Sequence, residues 1–102
     1  MDYALVDGRV QITRTVEEQE PLLQRLRRIE GQARGLQQMI VDNRYCLDDV
    51  QQLTALTAAA RETALLIIDD HLRACTQLAV EAHDGAVATG EMVTVLRAAM
   101  RQ

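Results

Sequence analysis

The chain has 102 residues, is 48% apolar and carries 15 acidic against 11 basic side chains, for a formal charge of −4. Its length suits one compact domain with a limited core, which favours oligomerisation, and its overall charge argues against nucleic acid as a partner. All basic residues are arginine and the only aromatic residues are two tyrosines, so a stacking platform for single strands is nearly excluded.

The first 20 residues show no sustained hydrophobic period. We predict a flexible arm over residues 1–20, with residues 10–12 as the one stretch that could be ordered. Pro21 suits the first turn of a helix, where its missing N–H costs nothing. Beyond it, apolar residues recur at alternating spacings of four and three, which predicts an amphipathic helix: Leu22, Leu26, Ile29, Ala33, Leu36 and Ile40.

A long second helix is predicted from about Asn43 to Glu81, since this stretch holds neither glycine nor proline. Asp42 and Asn43 are predicted to end the first helix and to cap the second. The apolar seam of the second helix falls within a sector of about 100°. Its members are Cys46, Val50, Leu53, Thr57, Ala60, Ala64, Ile67, His71, Cys75 and Leu78.

Thr89 is a candidate cap for a short third helix from Gly90 to about Met100. Three helices, with no strand and no internal repeat, predict an all-α fold. We therefore expect a single helical domain over residues 21–102, preceded by the arm.

Three residues of the second seam carry candidate chemistry: Cys46, His71 and Cys75. His71 and Cys75 are four residues apart, so their side chains emerge on one helix face about 6 Å apart and can chelate one ion. Cys46 lies roughly 37 Å away along a straight helix, at 1.5 Å per residue, and is too distant to join them within one chain.

Two antiparallel copies of this helix would bring the three residues together. The midpoint between Cys46 and the pair formed by His71 and Cys75 falls near Ala60, in a run of small residues over 58–60 that permits close approach. A two-fold axis there places Cys46 of one chain opposite His71 and Cys75 of the other, twice per dimer. The geometry predicts an intersubunit site in two equivalent copies.

Two thiolates and one imidazole make a three-coordinate set that best suits Cu(I), one ion per chain in a trigonal site. Structural zinc normally has four protein ligands, and His83 is the nearest spare candidate for the fourth. A buried cysteine or a seam histidine can also be an ordinary core residue, but the mirror symmetry of all three positions favours a metal site.

Three segments resemble the CsoR/RcnR family of bacterial metal-sensing repressors, within a similarity that covers roughly residues 20–100. They are RLRRIEGQARG at 25–35, RYC at 44–46 and DHLRAC at 70–75. The resemblance implies a three-helix protomer that forms an antiparallel dimeric four-helix bundle with short third helices, assembling as a dimer of dimers. It further implies a protein that binds double-stranded operator DNA when metal-free and releases it on binding Cu(I), derepressing copper export or resistance genes.

The same resemblance assigns roles to two further residues, Tyr45 and Glu91, which would connect the ligand histidine to the third helix. A hydrogen bond from the non-ligating imidazole N–H would fix the ring and couple the metal to the backbone. Relatives that sense nickel or cobalt use additional histidine near the N-terminus, and the arm here has none. Persulfide-sensing relatives lack the histidine present here as His71, and formaldehyde-sensing relatives lack the thiol present here as Cys75.

The charge is unevenly placed, because residues 22–41 sum to +3 and leave −7 for the remainder. A fully exposed arginine face is one interpretation of this segment, and contact with the DNA backbone is the other. Some relatives carry a basic residue in the middle of the second helix where this chain has Glu62, with Arg61 beside it. The DNA-binding candidates are Arg25, Arg27, Arg28, Arg34 and Arg61.

Other classes of function have weaker support. A thiol-based sensor of persulfides or aldehydes with the same fold is one alternative, and a metal buffer with no DNA role is another. No catalytic constellation or small-molecule pocket can be identified, so we expect no enzyme activity. No apolar run reaches the roughly 20 residues of a membrane span and no signal peptide is evident, so the thiols are expected to stay reduced in the cytoplasm.

Overall fold

In the computed structural model, which describes residues 1–101, an N-terminal β-hairpin precedes three helices. The elements are β1 (Asp2–Val6), β2 (Arg9–Thr13), α1 (Val16–Val41), α2 (Cys46–Glu81) and α3 (Gly85–Met100). Helices α1 and α3 pack against α2, and β2 contacts both α2 and α3. The protomer is elongated, 58 × 29 × 19 Å. None of the helices described is both long and apolar enough to cross a membrane.

The hairpin corrects the prediction of a strandless chain with a flexible arm over residues 1–20. Strands β1 and β2 pair antiparallel across a two-residue turn, in which Asp7 and Gly8 have φ of 53° and 75°. Positive φ at both positions is the turn geometry that matches the twist of the strands, and Asp-Gly favours it. Because Val10 of β2 is only 6% exposed, the hairpin packs on the helices as part of the core.

Helix α1 begins before Pro21, which lies in its second turn, so the predicted start was wrong. Thr15 and Glu18 form a capping box: the Thr15 hydroxyl accepts from the Glu18 N–H, and the Glu18 carboxylate accepts from the Thr15 N–H, each at 3.1 Å. This reciprocal pair satisfies two N–H groups that the first turn leaves free. The capping box therefore sets the start of α1, and the proline is tolerated inside it.

The junction between α1 and α2 places Cys46 at the first position of α2. Asp42 and Asn43 end α1 as predicted, with Asn43 in the left-handed region at φ 54°. Neither residue caps α2, because Tyr45 takes the cap position and makes no side-chain hydrogen bond there. The prediction of an Asp or Asn cap for α2 was therefore wrong.

Helix α3 begins at Gly85, five residues before the predicted start. The Asp84 carboxylate accepts a hydrogen bond from the Val87 N–H at 3.3 Å and caps the helix. Thr89, the predicted cap, lies inside α3. The earlier start adds more than one turn to α3.

The core lies where the C-terminal half of α2 meets α3 and the hairpin. Its buried apolar residues are Val10, Ala74, Cys75, Leu78 and Ala88. Helix α1 contributes no buried residue at all. Large apolar side chains stay exposed along α1 and the N-terminal half of α2, which include Leu26, Ile40, Leu47, Val50 and Leu53.

Candidate metal centre

Two of the three predicted ligands, His71 and Cys75, lie in the C-terminal half of α2, where this helix packs against α3 and the hairpin. The Cys75 side chain is fully buried and its thiol is free. The His71 side chain is 13% exposed. Their spacing of four places both on one face of the helix, about 6 Å apart. One imidazole and one thiol are thus already together in a single protomer.

Glu91 from α3 lies beside His71. Its Oε2 is 3.4 Å from His71 Nε2, and both side chains are 13% exposed. His71 Nε2 is buried and makes no hydrogen bond with any residue described. Glu91 Oε2 accepts a hydrogen bond from the main-chain N–H of Val10 at 3.0 Å. The carboxylate therefore joins α2, α3 and the hairpin at the position of the candidate ligand.

The Cys75 thiol is set in an environment that disfavours its ionised form. Burial raises the pKa of this thiol, and the negative charge of Glu91 raises it further. A protonated thiol is inert, since the thiolate is both the nucleophile and the metal ligand. Cys75 must therefore lose its proton when a metal binds.

Cys46 and Tyr45 lie at the opposite end of α2. Cys46 is exposed, and Tyr45 is 70% exposed. With 25 residues of continuous helix between Cys46 and His71, roughly 37 Å of helix separates them. Within one protomer, residues 1–101 hold no cluster of three His, Cys, Asp or Glu side chains placed to bind a metal. The structure brings His71, Cys75 and Glu91 together and leaves Cys46 and Tyr45 apart from them.

An apolar groove runs beside Ala60, the position expected to lie near a two-fold axis. It lies between the middle of α2 and the end of α3, and Arg61 is one of its lining residues. Thr57 and Ala64 flank Ala60 on the same side of α2. His83, which the sequence offered as a fourth ligand for zinc, is exposed in the turn between α2 and α3, and its φ is 53°.

The candidate DNA-binding arginines are all exposed, but they differ in their partners. Arg27 is paired with Glu20 at 2.9 Å, and Arg34 with Glu30 at 2.8 Å. Among the residues described, Arg25 forms no ion pair. The same holds over residues 1–101 for Arg28 and Arg61, which leaves three cations of this set without a carboxylate partner.

The whole of α1 is electrically neutral, because its earlier start adds three glutamates to the segment of charge +3. The three are Glu17, Glu18 and Glu20, all in the first two turns. Helix α1 thus has an acidic beginning and a basic middle. Gly31 lies within this basic part and Gly35 directly follows it, and a Cβ at either residue would have no atom within 4 Å apart from its chain neighbours and the adjacent backbone of the helix.

The donor set fits a soft metal ion better than a hard one. Cysteine sulfur and imidazole nitrogen are the ligands that copper, zinc and related ions prefer, whereas magnesium and calcium take oxygen ligands. Glu91 Oε2 lies 3.4 Å from His71 Nε2, next to a buried thiol, and a carboxylate beside one imidazole nitrogen is the arrangement that orients a histidine to bind a metal through its other nitrogen. The second sulfur, that of Cys46, is exposed at the far end of α2 and lies apart from this pair within one chain.

The sequence model described as metal-sensitive transcriptional repressor matches residues 18–101. The chain belongs to this family. The copper-sensing transcriptional repressor CsoR of Bacillus subtilis strain 168 is 38% identical over 81 residues, 79% of this chain and 80% of that protein. The copper-sensing transcriptional repressor RicR of Mycobacterium tuberculosis H37Rv is 39% identical over 85 residues, 83% of this chain and 88% of that protein.

Two solved structures of metal-responsive proteins share the fold. The copper-sensing repressor CsoR with Cu(I) from Geobacillus thermodenitrificans NG80-2 matches with a TM-score of 0.79 at 38% identity, over 90% of this chain and 96% of that one. The nickel-responsive transcriptional regulator InrS matches with a TM-score of 0.78 at 29% identity, over 88% of this chain and 98% of that one. The predicted family and the predicted three-helix, all-α class are confirmed.

Sequence reasoning missed the hairpin and its contacts around the candidate centre. Val10 reaches Glu91, and Arg14 Nε donates to Asp70 Oδ2 at 3.1 Å, directly beside His71. The Asp-Gly pair at residues 7 and 8 was the available signal for a hairpin. The family match begins at residue 18, so the hairpin precedes the part of the chain that the family model covers.

Proposed function

We propose that this chain is a Cu(I)-responsive transcriptional repressor, which binds operator DNA when metal-free and is released from it on Cu(I) binding. The genes under its control would be those of copper export or resistance. The observation that carries the proposal is the buried pair formed by His71 and Cys75 beside Glu91, within a family of metal-sensitive repressors. The third donor, Cys46, is present at the start of α2.

The choice of copper over nickel comes from the donor types, because the same fold serves a copper sensor and a nickel-responsive regulator. Two thiolates and one imidazole form a soft, low-coordinate set that suits Cu(I). Residues 1–70 contain no histidine that could add the nitrogen ligands a nickel site favours. Cu(I) bound to Cys46, His71 and Cys75 would link the start of α2 in one chain to the C-terminal half of α2 in the other.

The ligands would come from two chains, with one Cu(I) per chain in a trigonal site. Exposure of Cys46 at the N-terminal end of α2 supports this division, as does the apolar groove beside Ala60. Tyr45 would approach the partner's site together with Cys46. Glu91 would accept the hydrogen bond from His71 Nε2 when the other ring nitrogen is a ligand. The active assembly would be a homodimer, paired into a homotetramer.

Operator DNA would be held by the arginines of α1 and by Arg61. A tetramer would present each exposed arginine four times, and these copies together can neutralise many phosphates although the net charge is −4 per chain. No helix-turn-helix signature is found in the sequence, so recognition would rely on the DNA backbone and on DNA shape. A cytoplasmic location stays a prediction.

A Cu(I) titration against a competing chelator, run in parallel with operator binding by fluorescence anisotropy, tests the proposal. We expect one Cu(I) per chain and a loss of operator affinity on loading. His71→Ala should retain measurable Cu(I) binding through two thiolates, but Cu(I) should lower its operator affinity much less than that of the wild type. The substitution of the exposed His83, His83→Ala, is the matched control. Operator affinity that does not change with Cu(I) would contradict the copper switch.

The alternative of a thiol-based sensor is disfavoured by the environment of Cys75. This thiol is fully buried and its pKa is raised, whereas sensor thiols are exposed and of low pKa. Mass spectrometry after mild persulfide treatment separates the two functions, because a sensor of that type would give a link between Cys46 and Cys75 of different chains. A metal buffer, the other alternative, would produce no retarded band with promoter DNA in a mobility-shift assay.

A further inference from the structure

The N-terminal hairpin, residues 2–13, docks directly beside the candidate metal centre. Tyr3 OH donates to Glu81 Oε2 at 2.9 Å near the end of α2. Just after the hairpin, Arg14 donates to the carboxylate of Asp70, the residue before His71. The N-terminal ammonium group forms an ion pair with Glu18 of α1 at 2.9 Å. These anchors attach the hairpin at three separate points around the site.

The main-chain N–H of Val10 points away from β1, so it is free to bond a group outside the hairpin. Val6 lies opposite Arg9 next to the turn, and Leu5 lies opposite Val10. In an antiparallel pair, residues alternate between exchanging hydrogen bonds with the opposite strand and pointing their N–H groups away from it. Val10 is of the second kind, and its N–H donates to Glu91 Oε2 at 3.0 Å. This bond joins the hairpin to α3 without interrupting the strand pairing.

The oxygen that Val10 binds is the one that faces His71 Nε2 at 3.4 Å. A carboxylate oxygen can accept more than one hydrogen bond, so Val10 and the imidazole can share it. A glutamate side chain on its own has several rotatable bonds and no fixed direction. The Val10 N–H, which comes from a buried and paired strand, restricts Glu91 to the position in which it meets His71.

We propose that the Val10 main-chain N–H is a positioning donor, which holds the Glu91 carboxylate against His71 and thereby makes the hairpin part of the link between metal binding and DNA release. The proposal rests on the proposed function for its DNA readout. The Val10 side chain lies in the same buried core cluster as Cys75, whereas the role proposed for its main-chain N–H is exerted through Glu91. The hairpin precedes residues 18–101, the part of the chain that the family model matches.

A proline at residue 10 removes this donor selectively. Val10→Pro eliminates the N–H and keeps the strand pairing, because proline is tolerated where the N–H does not enter the ladder. Val10→Ala is the matched control, since it removes most of the buried side chain but keeps the N–H. Any effect of weaker packing appears in both variants. An effect found only with proline belongs to the hydrogen bond.

The first readout is independent of DNA and of copper. The His71 ring 15N resonances of the full-length, metal-free protein are compared by NMR in the wild type and in both variants. We expect them to move in Val10→Pro, because Glu91 no longer faces the ring, and to stay near the wild-type values in Val10→Ala. Identical His71 resonances in the two variants would overturn the proposal.

The second readout is the ratio of operator affinities without and with Cu(I). We expect this ratio to fall about tenfold in Val10→Pro, with little change in Val10→Ala and with the Cu(I) stoichiometry preserved. In a Glu91→Ala background, Val10→Pro should have no further effect, because the two act in series. Additive losses would overturn the positioning role. A wild-type protein whose operator affinity ignores Cu(I) would contradict the proposed function instead, while the NMR comparison still decides the role of Val10.

Discussion

The two ends of α2 differ in how much of their apolar surface the protomer covers. At the C-terminal end, Cys75 is 0% and Leu78 is 3% exposed, under α3 and the hairpin. At the N-terminal end, Val50 and Leu53 are 58% and 54% exposed, although α1 packs alongside. Exposed large apolar patches of this kind mark surfaces that bind another protein. The protomer therefore covers the apolar seam at the C-terminal end of α2, the completed end, and leaves it exposed at the N-terminal end, the bare end.

The candidate ligands are divided in the same way. His71 and Cys75 lie in the completed end, where burial and Glu91 orient them, and Cys46 lies in the bare end. A second chain that covers the bare end in antiparallel orientation would supply Cys46 at the completed end of its neighbour. Assembly and metal binding are thus expected to depend on the same surface.

The largest effect is expected from a charge placed on the bare end. Leu53→Asp should weaken dimerisation at least a hundredfold, because an unpaired carboxylate would be buried between the chains. Gln52→Asp, one residue away and also exposed, is the matched control and should assemble normally. Sedimentation velocity over a concentration series measures both. Equal sedimentation of the two variants would show that this surface is not the interface.

A smaller change sharpens the contrast between the ends. Leu78→Ala should lower the free energy of unfolding by about 3 kcal/mol, because it opens a cavity in the completed core. Leu53→Ala should instead raise the dimer dissociation constant. Chemical denaturation and sedimentation, applied to both variants, separate these outcomes. If Leu78→Ala weakened assembly as much as Leu53→Ala did, the two ends would not be independent.

Substitutions of the α1 arginines test whether the surface of this helix also binds DNA. Arg28 has no carboxylate partner among the residues described, whereas Arg34 is already paired with Glu30. Arg28→Ala should weaken operator binding and lower the slope of log affinity against log salt by about 1 for each phosphate that Arg28 neutralises. Arg34→Ala should have the smaller effect. Anisotropy titrations at several salt concentrations measure the slopes, and equal slopes in the wild type and Arg28→Ala would remove Arg28 from the interface.

The smallest effect concerns the ion pair that ties the N-terminus to α1. Hydrogen bonds from the terminal ammonium group and from Thr15 lower the pKa of Glu18 from 4.5 to about 2. A lowered pKa gives stability that is present above pH 4.5 and is lost as the pH falls toward about 2. Glu18→Gln should therefore lower Tm slightly at pH 6, and the difference should shrink below pH 4.5. The exposed Glu17→Gln is the control, and a difference from the wild type that does not vary with pH would contradict the ion pair.

The sequence was sufficient for the existence of the three helices and for the position of His71 and Cys75 on one face of α2. Residues four apart on a helix share a face, and the 25 residues between Cys46 and His71 keep Cys46 away from that pair within one chain. That all three residues bind one metal ion stays a prediction. The helix boundaries were less accurate, although their signals were present. Thr15 and Glu18 have the spacing of a capping box, and Asp84 precedes the start of α3.

The hairpin and its contacts do not show up in helical periodicity. Asp7 and Gly8 mark a hairpin turn, but the alternation of apolar and polar residues around them is short and therefore a weak signal for strands. The contact between Glu91 and Val10 joins residues 81 positions apart, and it depends on how α3 and the hairpin pack on α2. Glu91 was therefore found through the family resemblance and not through its spacing.

Mixed dimers test the division of the metal centre between two chains most directly. One chain carries Cys46→Ala and the other carries His71→Ala with Cys75→Ala, so neither homodimer has a complete ligand set. An intersubunit site predicts that the mixed dimer regains one complete site, and hence one tightly bound Cu(I) per dimer with one nitrogen and two sulfur ligands by X-ray absorption. A mixed dimer that binds Cu(I) no better than the two homodimers would contradict the account.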